Sequence, residues 1–303
     1  MTGIALPDGA RPTCLVWDRS HADRAWCGTR RHGVLRSDDG GRTWLPSGPE
    51  GEHVTAIASD PAEAGVVWAG TEPSAMFRND GEWERLEQLE RLPSSKDWSF
   101  PPKPETHHVR WIACHPSERG RLWVAIEAGA LIQTRDGGRT WSDRVPGGPY
   151  DTHELAVHDG APDRLRSAAG DGYFESDDGG ATWRSPQRGL DARYLRSVAI
   201  DPGDPAVVVA SAASHAHAAY VAGRSDGRVY RRSGEEDWIR ITGGWPERPS
   251  TIAPLLQPGR EGGELWAADE RGLHHSADGG ARWRRVAAFD TTPNHLRALA
   301  IEP

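Results

Sequence analysis

Short apolar runs alternate with clusters of Gly, Pro and Asp along the chain, and the runs recur in a fixed order. The first kind ends in an Asp-Pro-like corner: "TAIASDP", "RWIACHP", "RSVAIDP" and, more loosely, "TCLVWDRS" and "HELAVHDG". The second often carries tryptophan: "RAWCGT", "VVWAGT", "RLWVAIE", "VVVASAA", "ELWAAD". The third leads into a glycine turn: "GVLRS", "AMFRN", "ALIQT", "GYFES", "GLHHS". Runs this short, rich in β-branched and aromatic residues and bounded by turn formers, predict β-strands. No segment sustains a helical period.

The turn after the third run is itself a repeat. "RSDDGGRTW" (36–44) returns as "QTRDGGRTW" (133–141), "ESDDGGATW" (175–183) and "HSADGGARW" (275–283), with worn copies "RNDGEW" (78–83) and "RSGEEDW" (232–238). The closing tryptophans, Trp44, Trp83, Trp141, Trp183, Trp238 and Trp283, are spaced by 39, 58, 42, 55 and 45 residues. A period in this range marks a stacked or radial repeat fold. Four strands per unit and six units predict an all-β, six-bladed β-propeller of four-stranded antiparallel blades, residues 1–303 forming one domain. The trailing "HLRALAIEP" reads as a further innermost strand, which either closes the ring or starts a partial seventh blade.

The turn matches the Asp-box, Ser-x-Asp-x-Gly-x-Thr-Trp, and the chain resembles the BNR-repeat propellers, a group that includes sialidases, sortilin-like receptors and photosystem II assembly factors. The resemblance covers nearly the whole chain and speaks for fold, since the group spans enzymes, receptors and assembly factors. Asp39, Asp136, Asp178 and Asp278 are expected to accept backbone N–H bonds inside the hairpin, with glycines at the positive-φ positions. The tryptophan is expected to plug between adjacent blades. The carboxylates lack the spacing of a calcium loop.

Composition narrows the partners. The chain has 14 Trp against 4 Phe, and a net charge of −8 with mixed signs and no basic block, which argues against nucleic acid. No stretch approaches a membrane span, and "MTGIALPDGA" lacks the regions of a signal peptide. Cys14, Cys27 and Cys114 show no metal spacing; Cys14 and Cys27 could neighbour each other on adjacent strands, but all three read as reduced core residues of a cytoplasmic protein. A monomer or small homo-oligomer is expected.

Two segments depart from the repeat: the Pro-rich insertion 86–107 and the long connection 211–227. Both read as rim or lid elements, because long connections in a compact fold are usually functional or disordered, and Trp98 and Phe100 argue against a plain linker.

In a propeller the innermost strands start on the side where the second-to-third-strand connections lie. Propeller enzymes of the BNR group place their sites there, as the resemblance implies. Aligning those strands on their corner gives His53, His108, Asp151, Tyr194, Ser250 and His295 at one position. Thr55, Arg110, His153, Arg196, Ile252 and Arg297 stand two residues later, on the same strand face. The connections add Arg30, Arg31, His32, Glu72, Glu127, Asp171, His215, His217, Asp269 and Glu270, whereas His115 and His158 fall at the far ends.

Converging imidazoles suit a transition metal (Fe, Cu, Mn, Ni or Zn) held by His53, His108, His153 and His295, with His107, His215 and His217 in reserve. Arg110, Arg196 and Arg297 form a set suited to binding a carboxylate or phosphate, or to salt bridges with Glu154, Asp151 or Asp171. Sialidases use an arginine triad for their substrate carboxylate, so the resemblance implies Tyr194, Asp151 and Glu154 as catalytic candidates. However, this chain lacks the Arg-Ile-Pro motif, and no glutamate can be assigned beside Tyr194. Three function classes follow: a metal-dependent enzyme acting on a small anionic molecule, toward which the sequence leans; a sialidase-like glycosidase; and a non-catalytic scaffold or assembly factor with a protein partner.

Overall fold

The structure, a computed structural model, describes residues 6, 7, 9–246, 250–293 and 295–302. Its sheets are the six blades of a β-propeller, each antiparallel and wound in chain order. Contacts divide the chain into two compact units.

The N-terminal unit, centred on residues 2–146, holds three blades. Blade 1 comprises Pro12–Trp17, Ala25–Thr29, Val34–Ser37 and Leu45–Gly48; blade 2 comprises Val54–Ser59, Val67–Thr71, Met76–Asn79 and Trp83–Leu86. Blade 3 has three strands, Val109–Cys114, Leu122–Ile126 and Ala130–Thr134. The C-terminal unit, centred on residues 153–301, holds the others. Blade 4 has three strands, Thr152–His158, Ala161–Ala169 and Gly172–Ser176. Blade 5 comprises Tyr194–Asp201, Asp204–Ala213, Arg228–Ser233 and Ile239–Ile241; blade 6 comprises Leu255–Pro258, Leu265–Asp269, Gly272–Ser276 and Arg284–Ala288.

In blades 3 and 4 the fourth strand shrinks to one bridge, Gln133 with Ser142 and Glu175 with Arg184. Residues 295–302 form no strand, so the expected seventh innermost strand is absent among the described residues; Asn294 and Pro303, the ends of that run, lie outside them. Helix is confined to short turns at Leu89–Arg91, Pro93–Asp97 and Ala216–Tyr220.

The box works as a turn. Asp178 accepts the Thr182 N–H at 2.9 Å and its hydroxyl at 2.6 Å, while Ser176 Oγ accepts the Gly180 N–H at 2.8 Å. Asp39 and Asp136 repeat this; Asp278 keeps the backbone bond to Arg282 but has no threonine to accept from. Gly179 and Gly180 sit at φ 70° and 92°, where a Cβ is disfavoured.

Trp83, Trp141, Trp238 and Trp283 pack in apolar clusters that join two adjacent blades, as expected, but burial is uneven. Trp44, Trp83, Trp141 and Trp183 are only half-buried, and Trp238 and Trp283 alone are buried. Among the described residues the most buried aromatics are Trp68 and Trp123 of the second strands and Tyr173 and Tyr230 of the third. Trp44 and Trp183 instead donate their indole N–H to the carbonyls of Gly41 and Gly180, fastening the turn that precedes them.

Candidate functional site

The side of each blade on which its first strand begins is here the front. In the N-terminal unit it repeats one arrangement. His53 precedes the first strand of blade 2 and Glu72 follows the second; the Glu72 N–H donates to the His53 carbonyl at 2.9 Å, and His53 Nδ1 lies 3.4 Å from Glu72 Oε2. In blade 3, His108 and Glu127 occupy the same places: the Glu127 N–H meets the His108 carbonyl at 3.2 Å, and His108 Nε2 lies 2.8 Å from Glu127 Oε2. Arg110 Nε approaches the same oxygen at 3.3 Å. The backbone ladder thus delivers each carboxylate to the imidazole of its own blade.

Insertion 86–107 packs onto this side. Lys103 Nζ donates to Glu72 at 3.1 Å, Phe100 packs edge-on against His108 with centroids 4.8 Å apart, and Trp98 does the same to His107 at 5.6 Å. Trp98 is buried and donates to Ser94 Oγ at 3.0 Å. Burial is the main influence on His53 and holds its pKa below the ordinary 6.5, against the pull of Glu72 and with help from Arg30, Lys103 and His108. His107 is lowered by burial as well. Lys103 and Phe100 were not singled out from sequence as front-side groups; an aromatic and a cation among the prolines of the insertion were the available signal.

Asp151 accepts the N–H of Ala128 at 2.8 Å, and Ala128 is held at φ 46°. Among the described residues, Asp151 stands out for metal-ligating neighbours. A carboxylate oxygen of Glu127 lies within 4.8 Å of it.

In the C-terminal unit, His153 is buried, with Nδ1 on the Leu195 carbonyl and Nε2 3.3 Å from the Tyr194 hydroxyl. A carbonyl only accepts, so Nδ1 carries the proton and Nε2 accepts from Tyr194. Glu154 is buried and accepts from the Ser197 hydroxyl. Arg196 is 3% exposed: it donates to the carbonyls of Ala253 at 2.6 Å, Ala219 at 3.4 Å and Leu296 at 2.8 Å, with its guanidinium 4.7 Å from the Tyr220 ring. His215 caps the short helix Ala216–Tyr220 by accepting from Ala218, and His217, His295 and Arg297 are exposed.

The structure therefore distributes the expected site residues among separate jobs. His53 and His108 each face a glutamate, His153 faces a tyrosine, and His295 is exposed. Among the three arginines, Arg110 lies on Glu127, Arg196 is fixed to main-chain oxygens and Arg297 is exposed. Of the three expected catalytic groups, Tyr194 pairs with His153, Asp151 holds a backbone amide and Glu154 is closed from solvent.

No family model matches the chain, and no curated protein matches it. Solved structures do. An ancestral GH74 enzyme shares 16% identity over 95% of this chain at a TM-score of 0.71, yet this chain spans 40% of that one. YCF48 bound to D1 peptide shares 19% identity over 93% of this chain and 83% of its own, at a TM-score of 0.65. YCF48 from Cyanidioschyzon merolae shares 14% over 93% and 86%, also at 0.65. At these identities the likeness establishes the propeller fold.

Proposed function

We propose that the protein is a non-catalytic recognition propeller whose front in blades 2 and 3, edged by insertion 86–107, holds a segment of a partner protein. The observation that carries this reading is the state of Arg196: buried, with its donors on three backbone carbonyls. A guanidinium so engaged braces the fold and has no fork to offer a substrate anion. Lys103 and His53, both on Glu72 and both partly exposed, give the surface groups that can exchange an internal partner for an external one. The likeness, over 93% of this chain and 83% of the other, to YCF48 bound to D1 peptide supports the same reading. Three free thiols, Cys14, Cys27 and Cys114, fit a reducing compartment such as the cytoplasm.

Affinity purification with cross-linking from a native source tests the proposal. Cross-links from one recurrent partner are expected on Lys103 and its surroundings, and Glu72→Lys should remove that partner. Turnover of a sialoside or of a β-glucan by the purified protein would overturn it.

A second reading is favoured by one observation, the neighbours of Asp151. Its carboxylate, with that of Glu127, is a donor pair suited to a divalent cation such as Mn. Elemental analysis of protein purified without chelator or His-tag separates the readings: stoichiometric metal lost in Asp151→Ala favours the second.

A further inference from the structure

Blade 2 carries a shortened box. From the residue that opens the box to the tryptophan, blade 1 runs Ser37 to Trp44, whereas blade 2 runs Asn79 to Trp83, three residues fewer. The two ends of the short version pair directly, Asn79 opposite Trp83, and the Gly81 N–H donates to Asn79 Oδ1 at 3.1 Å. The glycine turn that would stand over the groove toward blade 1 is missing. A cleft of about 450 Å³ opens there, lined by Arg24, Arg36, Ser47, Asn79, Glu82 and Trp83 among others.

The repeat-equivalent groove between blades 4 and 5 shows what a closed version looks like. It holds about 170 Å³. Glu175, just before the box serine of blade 4, binds Arg232 at 2.8 Å and Arg184 at 2.9 Å, and Arg184 also binds Glu235. Blade 1 has Arg36 at the place of Glu175, so no carboxylate hub fills the groove toward blade 2.

The open cleft is organised. Asp38 holds Arg24 at 2.6 Å and Arg36 at 2.9 Å, each through Nε, which leaves their terminal nitrogens as oriented donors. The half-buried Trp83 ring is fixed by its N–H on Ser47 Oγ at 3.3 Å and by Gly48, where a side chain would meet the ring at 3.0 Å. Asn79 Oδ1 is engaged by Gly81, and its amide N–H groups remain as donors. Asp38, paired with both arginines from outside the lining, and Glu82 within it offset the charge of Arg24 and Arg36, so the cleft favours a neutral ligand rich in hydroxyls. A flat aromatic wall beside planar donors and an acceptor suits the alternating C–H faces and hydroxyl edges of a sugar ring.

We propose that the cleft between blades 1 and 2 is a saccharide-binding site that stacks one neutral pyranose on Trp83. Its hydroxyls bond to Arg24, Arg36, Asn79 and Glu82. The site lies at the box end of the blades and does not depend on the proposed function of the front.

The test is a tryptophan-fluorescence and ligand-detected NMR titration of the full chain with glucose, galactose, mannose, xylose, fucose and their common disaccharides, with sialic acid as an anionic control. At least one neutral sugar is expected to bind with a Kd on the order of 1 mM, a modest affinity. Trp83→Ala should weaken it at least about tenfold, and Arg36→Ala should weaken it too, while near-UV dichroism stays native. Trp83→Phe, which keeps an aromatic face, should recover part of the affinity and guards against a folding defect in the alanine variant. No binding by any sugar, binding by sialic acid alone, or binding untouched by Trp83→Ala overturns the proposal.

Discussion

Asp60 and Trp68 join the corner of blade 2 to its second strand: the buried indole N–H donates to the buried carboxylate at 3.0 Å. Asp18 and Trp26 repeat the bond in blade 1 at 3.2 Å. In blade 3 a histidine replaces the aspartate, and His115 stacks on Trp123 with centroids 6.1 Å apart. The corner and the tryptophan strand, which recur together along the chain, are two halves of one contact.

Trp68→Phe keeps an aromatic ring, deletes the donor and leaves a cavity where the rest of the indole was, a cost that adds to the lost bond and that a double-mutant cycle separates from it. Asp60 would retain its bond from the Ala62 N–H but lose the one to its other oxygen. A cost of about 1–3 kcal/mol is expected, the range for a buried acceptor left short of a partner. Urea unfolding measures it. A double-mutant cycle with Asp60→Ala should give a coupling energy, whereas additive losses would show that the bond contributes nothing.

Box carboxylates should set the acid limit. Hydrogen bonds from Thr182 lower the Asp178 pKa from 3.8 to about 2. A depressed carboxylate adds stability above its unfolded value, and that stability is lost as pH falls through its folded value. The window is therefore pH 4 down to 2 for this group. Asp178→Asn should lower the melting temperature at pH 6 and flatten its decline across that window, leaving partner binding per folded molecule unchanged.

His53 acts at milder pH. Its lowered pKa means that the folded state resists protonation, so its stabilising share is present above 6.5 and lost as pH falls through the folded value. His53→Gln should show a shallower loss of stability between pH 7 and 5 than the wild type. Histidine Cε1–H resonances followed over the same range check the direction of the shift.

Arg196→Ala should be a folding mutation. The carbonyls of Ala253 and Leu296 lose a donor, while that of Ala219 keeps the Ala253 N–H, and a loss of about 1–3 kcal/mol is the expected result. If the residue bound a ligand instead, stability would hold and affinity alone would fall.

Blade number, strand order and the role of the box were legible in the sequence because each repeats, and a repeated pattern reports a repeated local geometry. The front-side alignment was legible for a similar reason: it placed His53 with Glu72 and His108 with Glu127 on one side of their blades. Side-chain partners were harder to read. Whether Arg196 points at an open funnel or at three carbonyls depends on the paths of Ala219, Ala253 and Leu296, which lie outside the repeat pattern. The closing tryptophans read as inter-blade plugs, and Trp83, Trp141, Trp238 and Trp283 do join adjacent blades, while Trp44 and Trp183 are half-buried although they make the same indole bond to their own turns as the buried Trp283. The fading of the fourth strand in blades 3 and 4 has no such signal, since blade 1 keeps its fourth strand with Pro46 inside it.

Those two thinned blades make the rim uneven in time as well as in form. Where four strands are laddered, an outer amide must wait for a whole edge to peel away before water can exchange its proton. Where Gln133–Ser142 or Glu175–Arg184 is the sole bridge, a fluctuation breaking one contact frees the neighbouring segment. Deuterium should therefore enter residues 142–150 and 184–190 well before Trp83–Leu86 or Arg284–Ala288, marking where each unit begins to open.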